Sequence, residues 1–266
     1  MSNIAGPLHH NDVEKGVANS NGHSSPLHGT TSATPAYASQ EGGAPFNYRN
    51  VTPGGHPLDR SQPAFPTYHR KLANPAPLGL CGFALTTFIL SLINVEARGI
   101  TVPQVVVGPA LWYGGLAQLL AGMWEFATGN TFGATAFSSY GAFWLSYAFI
   151  VSPWSGIGAA YTAAGQTEGH AVSFFLWGWF IFTFIMFMAS LRSSIALSGV
   201  FFFLTITFML LAIADHGVGN SQAIKIAGGS FGLVTAFNAW YVAAANLLTP
   251  ETSYFVLPTG SMAKKD

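Results

Sequence analysis

The 266-residue chain is 50% hydrophobic, 8% charged and formally neutral. Soluble domains carry about 25% charged residues, so this composition excludes an ordinary soluble enzyme, and a neutral chain has no electrostatic footprint for nucleic acid. A single cysteine, Cys81, excludes an intramolecular disulfide and any cysteine-based metal cluster, and it reads as a small buried hydrophobe.

Residues 1–70 hold eight of the 15 prolines and six of the eight histidines, with Ser, Gly, Asn and Thr between them. Such a segment cannot bury enough apolar surface to offset its chain entropy, so it predicts a disordered tail. His9, His10, His23 and His28 match no metal-ligand spacing and read as tail residues, and no metal or cofactor is expected. Asn50-Val51-Thr52 is a formal glycosylation sequon. The start of the chain has no apolar h-region, so the first membrane helix is expected to act as the insertion signal.

Residues 71–250 read as a membrane domain. From 77 to 250 the only charges are Glu96, Arg98, Glu125, Glu168, Arg192, Asp215 and Lys225. The apolar runs between them fit helices of about 20 residues, each enough to cross roughly 30 Å of hydrocarbon. Windows of that kind predict six helices at 77–94, 103–128, 132–151, 170–190, 193–214 and 222–247. Alternating ten-residue strands are absent, which argues against a β-barrel. The expected fold is an all-α polytopic membrane protein with six transmembrane helices around a narrow path. Residues 251–266 form a short C-terminal tail. Arg70, Lys71, Arg192, Lys264 and Lys265 fall on one side, against Arg98 and Lys225 on the other, so both termini are expected in the cytosol.

The first helix is introduced by Asn74-Pro75-Ala76-Pro77-Leu78-Gly79-Leu80. Proline pushes the preceding residue out of the α region, so Asn74 and Ala76 are expected to be extended and the helix to start at Pro77. Gly79 and Gly82 leave room for a neighbouring helix. Asn74 can satisfy free backbone groups nearby.

Polar residues then fall on particular faces. Gly79, Phe83, Thr87, Leu90 and Asn94 form one stripe of the first helix. Gln118 and Glu125, seven apart, share a face of the second. Asn130, Thr131, Thr135 and Ser138 mark a polar side of the third, with Tyr140 a turn or more away. Leu204, Phe208, Leu211 and Asp215 align on the fifth, and Thr235, Asn238 and Asn246 cluster on the sixth. Glu125 and Asp215 are the intramembrane ionisable residues, a costly type that is often functional, and Glu125 is a candidate to carry a coupled proton. Interfacial hydrogen bonding is as good an account of both. Gly228, Gly232 and Ala236, and Ala117 with Ala121, form small-residue rows that serve packing within a bundle or between subunits. The seven tryptophans read as interfacial anchors.

The stretch NPAPLGL resembles the signature of the acetate and succinate transporter family, AceTr or GPR1/FUN34/YaaH. Phe83 with Thr86-Thr87, Tyr113-Gly114-Gly115-Leu116-Ala117-Gln118 and the run from Gly129 to Phe137 (GNTFGATAF) are similar too. So are the run from Ser139 to Trp144 (SYGAFW) and Leu210-Leu211-Ala212-Ile213. The resemblance covers roughly residues 72–258 in order, and the long polar N-terminal tail looks like fungal members. It implies six helices, a homo-oligomer of hexamer type and one path through each protomer. It also implies transport of acetate and other short monocarboxylates, sometimes succinate, at the plasma membrane. Phe83, Tyr140 and Leu204 match the family's pore constriction. Asn74, Thr87, Asn94, Gln118, Glu125, Asn130, Thr131, Thr135 and Ser138 are then expected to line the path or bind substrate, without a cofactor. Proton-coupled carriage and channel-like passage both stay open. So do two other readings: ammonium or ammonia export, and a membrane sensor of the acetate response.

Overall fold

The computed structural model describes residues 72–263; the expectations for residues 1–70 lie outside them. Six long helices are present among the described residues. They are α1 (Ala76–Asn94), α2 (Pro103–Thr128), α3 (Thr131–Val151), α5 (Glu168–Ser190), α6 (Ile195–Asp215) and α7 (Ser221–Leu247). A short α4 (Ile157–Ala163) sits in the α3–α5 connection, where the sequence predicts only a loop. By length and composition, α1, α2, α5 and α6 can each cross a membrane. The other two long helices are long enough, but their Gly, Ala, Ser and Thr content lowers their apolar character. The described residues contain no strand, only an isolated antiparallel bridge between Ser194 and Ser261.

Helix α1 begins at Ala76, one residue earlier than the proline rule predicts, and Ala76 is helical instead of extended. The reason is local. The Asn74 Oδ1 accepts from the Ala76 amide at 3.0 Å, and Pro75 already has helical φ and ψ of −81° and −14°. That side-chain turn supplies the first partner the helix start lacks.

Helix α2 is not uniform. Trp112–Ala117 (WYGGLA) forms a π-helical segment between ordinary turns, a feature absent from the sequence-based expectation. Two consecutive glycines remove side chains where the segment is most crowded. Gly114 faces the Thr86 side chain, and Gly115 faces the Ala110 carbonyl and Leu145. Across from them, a Cβ on Gly82 would stand 2.6 Å from the Tyr113 carbonyl oxygen, so α1 and α2 touch backbone to backbone. Single π turns are rare and frequently mark functional sites. Here the extra residue resets the face of α2, and Gln118 follows it directly.

The helices form a ring. Helices α2 and α3 pack on one another, α1 packs on α2 and α7, α7 on α6, and α6 on α5. Between α3 and α5 the backbones stay apart and large side chains fill the gap. Tyr140 and Thr183 share a buried 2.9 Å hydrogen bond there, and Phe143 meets Phe175 and Trp179 with ring centroids 5.6 and 5.1 Å apart. The row Gly228, Gly232 and Ala236 faces inward. Gly228 packs on Leu211, Gly232 on the Ser91 hydroxyl, and Ala236 is fully buried. Those small residues let α7 approach α6 and α1 within one chain.

The residues after α7 fold back onto the start of α6. The Ile195 and Ala196 amides donate to the carbonyls of Gly260 (2.8 Å) and Thr259 (3.1 Å), and the Met262 amide donates to Ser193. Ser194 caps the same helix through the Leu197 amide, and the Tyr241 hydroxyl donates to the Pro258 carbonyl. The open first-turn donors of α6 are thus met by a segment over sixty residues away in sequence.

Candidate functional site

Two cavities lie along the ring's interior. The first, of about 170 Å³, is bounded by Ala76 and Leu80 of α1, Gln118 of α2, the start of α3, Leu197 to Leu204 of α6, and Val242 and Asn246 of α7. The second, of about 70 Å³, is bounded by Thr87 to Asn94 of α1, Trp144 and Tyr147 of α3, Leu204 to Asp215 of α6, and Lys225 of α7. Phe83 and Leu204 line both, and Tyr140 lines the first. Either volume is ample for at least one water.

Phe83 and Leu204 therefore stand at the junction of the two cavities, with Tyr140 beside them on the side of the first. All three are buried, and the Phe83 and Tyr140 rings sit 5.7 Å apart in a tilted pair. Trp179, Phe182 and Phe201 surround Tyr140 at 5.9, 5.5 and 6.2 Å. The Tyr140 hydroxyl is engaged by Thr183, so the junction is apolar and its one hydroxyl is already partnered.

The first cavity lies at the end of the bundle where α1 begins and α7 ends. Apart from the Tyr140 hydroxyl, its polar linings are the amides Gln118, Asn130 and Asn246. Asn74 reaches this mouth by donating from Nδ2 to the Asn246 Oδ1 at 3.3 Å. Gln118 is 1% exposed, and its Oε1 has no partner among the described residues. Three helices, α1, α3 and α6, begin at this cavity with Ala76, Asn130 and Leu197 at its wall. Their N-terminal dipoles place partial positive charge there, offset in part by the C-terminal end of α7, whose Asn246 lines the same wall.

The second cavity carries a different chemistry. Thr87, Ser91 and Asn94 line it from α1, and Asp215 and Lys225 sit at its outer end. The Thr87 hydroxyl and the Trp144 indole Nε1 are both buried and both without a partner among the described residues. Trp144 is 2% exposed, so it is no interfacial anchor, whereas Trp112, Trp124 and Trp154 lie on the outer surface.

The remaining expected residues sit elsewhere. Glu125 is buried behind the first cavity: its Oε2 accepts from the Asn130 Nδ2 at 2.8 Å and from the Thr128 hydroxyl at 3.3 Å. Asn130 in turn caps α3 by accepting from the Gly133 amide at 3.0 Å. Glu125 thus fixes the turn that holds Asn130 in the wall. Thr131 and Thr135 are exposed on the outside of α3, and the Thr135 hydroxyl returns to the Thr131 carbonyl. Ser138 packs against Gly122 between α2 and α3. None of these four lines either cavity. Asn246 and Lys225 do, and sequence reasoning left both out of the path. Asn246 lies on the polar side already noted for α7, and Lys225 lies in the second turn of α7, across the α6–α7 turn from Asp215.

The GPR1/FUN34/yaaH family model matches residues 58–264. The chain belongs to this family. The acetate permease A of Emericella nidulans is 52% identical over 198 residues, covering 71% of this chain and 66% of that protein. The ammonia transport outward protein 2 of Saccharomyces cerevisiae is 48% identical over 196 residues, covering 74% and 69%. The matched segment spans about two thirds of the length of these fungal relatives. A solved structure, that of the bacterial acetate channel SatP, superposes with a TM-score of 0.63 at 39% identity, covering 71% of this chain and all of that one. This family member is accordingly a membrane protein of apolar helices.

Proposed function

We propose that this family member passes acetate and other short monocarboxylates across a membrane, through the two cavities and the neck between them. The observation that carries this reading is the junction: Phe83 and Leu204 separate two polar-lined spaces, with Tyr140 packed beside them. The names of the acetate permease and of the acetate channel SatP support the same substrate.

The chemistry fits a small anion. A carboxylate entering low dielectric without compensation costs far more than thermal energy. The first cavity offers neutral amide donors and three helix N-termini instead of a fixed cation. Weak binding of that kind allows release, and a bare apolar neck controls passage by admitting or excluding water. Phe83, Tyr140 and Leu204 form the neck, and Asn74, Gln118, Asn130, Thr87 and Asn94 serve the path on its two sides. Glu125, Thr131, Thr135 and Ser138 act through the α2–α3 packing that shapes it. All six long helices span the membrane, with both termini cytosolic at the plasma membrane, and residues 71–250 form the transport domain between two tails. The protomers assemble as a homo-oligomer of hexamer type, each with its own path, and the chain has no enzymatic role.

Ammonia export is the second reading, on the strength of the relative named for it. Purified protein in liposomes separates the two. Labelled acetate should enter well above empty vesicles, faster with an inward proton gradient if passage is proton-coupled and indifferent to it if channel-like. Absent acetate flux alongside rapid ammonium-driven pH change would replace the acetate reading with ammonia export.

A further inference from the structure

The mouth where α1 and α6 end needs a different solution from the other. Helices α1 and α6 end at the second cavity with Asn94 and Asp215 in its wall. Their C-terminal dipoles and the Asp215 carboxylate place negative charge there, which repels an anion. Yet the buried groups inside this cavity are built for one. The Trp144 Nε1–H is a donor only, the Thr87 hydroxyl can donate, and neither has a partner among the described residues. Each is more than nine-tenths buried, and both line the cavity. Lys225 is the single cation lining either cavity among the described residues.

We propose that Lys225 is the anion-capturing residue of this mouth: its ammonium draws a carboxylate past the negative rim and delivers it to the Thr87 and Trp144 donors beyond. Asp215 balances the ammonium while the site is empty and competes with the incoming carboxylate. The inference rests on the acetate reading for its substrate, but the capture step has its own readout.

Binding of 13C-acetate to the purified protein, followed by NMR line broadening across a concentration and ionic-strength series, tests it. Lys225→Gln should weaken apparent affinity about tenfold and flatten the salt dependence, since a charge at a cleft mouth concentrates its counter-ion by at least that factor. Lys225→Arg should keep both, and Asp215→Asn should tighten binding. In liposomes, Lys225→Gln should raise the KM for acetate and leave the maximal rate near that of the unsubstituted protein. Equal affinity and equal salt dependence in Lys225→Gln and the unsubstituted protein would overturn the proposal. So would looser binding in Asp215→Asn, which remains decisive should Lys225→Gln fail to fold. If the unsubstituted protein binds acetate through Lys225 but moves none, the transport reading fails and the capture site stands.

Discussion

Phe83→Ala is the sharpest perturbation of the neck. The ring is 5% exposed and lies 5.7 Å from Tyr140. Removing it forfeits an aromatic contact worth about 0.5–1.5 kcal/mol. Phe-to-Ala changes in packed cores cost about 3–5 kcal/mol. Phe83 borders a cavity on each side, so part of its surface has no neighbour to lose, and the expected cost is about 3 kcal/mol. The vacated space takes on the order of three waters at about 30 Å³ each, enough to join the two cavities by a wet passage. If wetting lowers the barrier by about 1.4 kcal/mol, acetate flux rises about tenfold. The assay is labelled acetate, butyrate and hexanoate uptake in liposomes, beside a thermal melt in detergent. The variant should melt lower, pass acetate faster and discriminate less by chain length. A folded variant with unchanged acetate flux and an unchanged chain-length profile would refute the neck assignment.

Gly82→Val forces a side chain onto the Tyr113 carbonyl, already 2.6 Å from an ideal Cβ, so α1 and α2 cannot close and the melt should collapse or expression fail. Tyr140→Phe leaves the fully buried Thr183 hydroxyl without its partner and should cost about 1–3 kcal/mol in the melt, with flux largely kept because the ring remains. Glu125→Ala removes the acceptor that holds the Asn130 side chain, while the Thr128 hydroxyl keeps the residue-125 carbonyl, and it should lower both the melting temperature and acetate affinity. In contrast, Glu125→Gln keeps one acceptor oxygen and should retain the pH profile of uptake; a lost pH profile would make Glu125 the coupling group instead of a support for the turn.

Much of the architecture is legible because apolar runs of helix length need little context. Helix ends at 94, 128, 151, 190 and 247 follow from such runs and from Gly, Asn and Ser at the breaks. The π segment of α2 is not legible in the same way, since its hydropathy is that of an ordinary helix; the pair Gly114-Gly115 is its one trace. Polar stripes mislead for a definite reason. Thr135, Ser146, Thr205 and Thr235 all return their hydroxyls to the carbonyl four residues back, so a hydroxyl in a helix needs no polar path beside it. Thr87 differs because it finds no such partner, and only coordinates reveal that. Likewise Trp144 and Trp112 are alike in sequence, yet one is buried beside the path and the other lies outside.

The clasp between Thr259–Met262 and the start of α6 sets an order of assembly. A chain made from its N-terminus places α6 in the bilayer before Thr259 and Gly260 exist. Its first-turn amides must then wait, open or hydrated, until those residues emerge. The wall bearing Leu197, Val200 and Leu204 is consequently secured only once they have been made, so a chain cut short of Thr259 holds an unfinished wall on one side of its conduit.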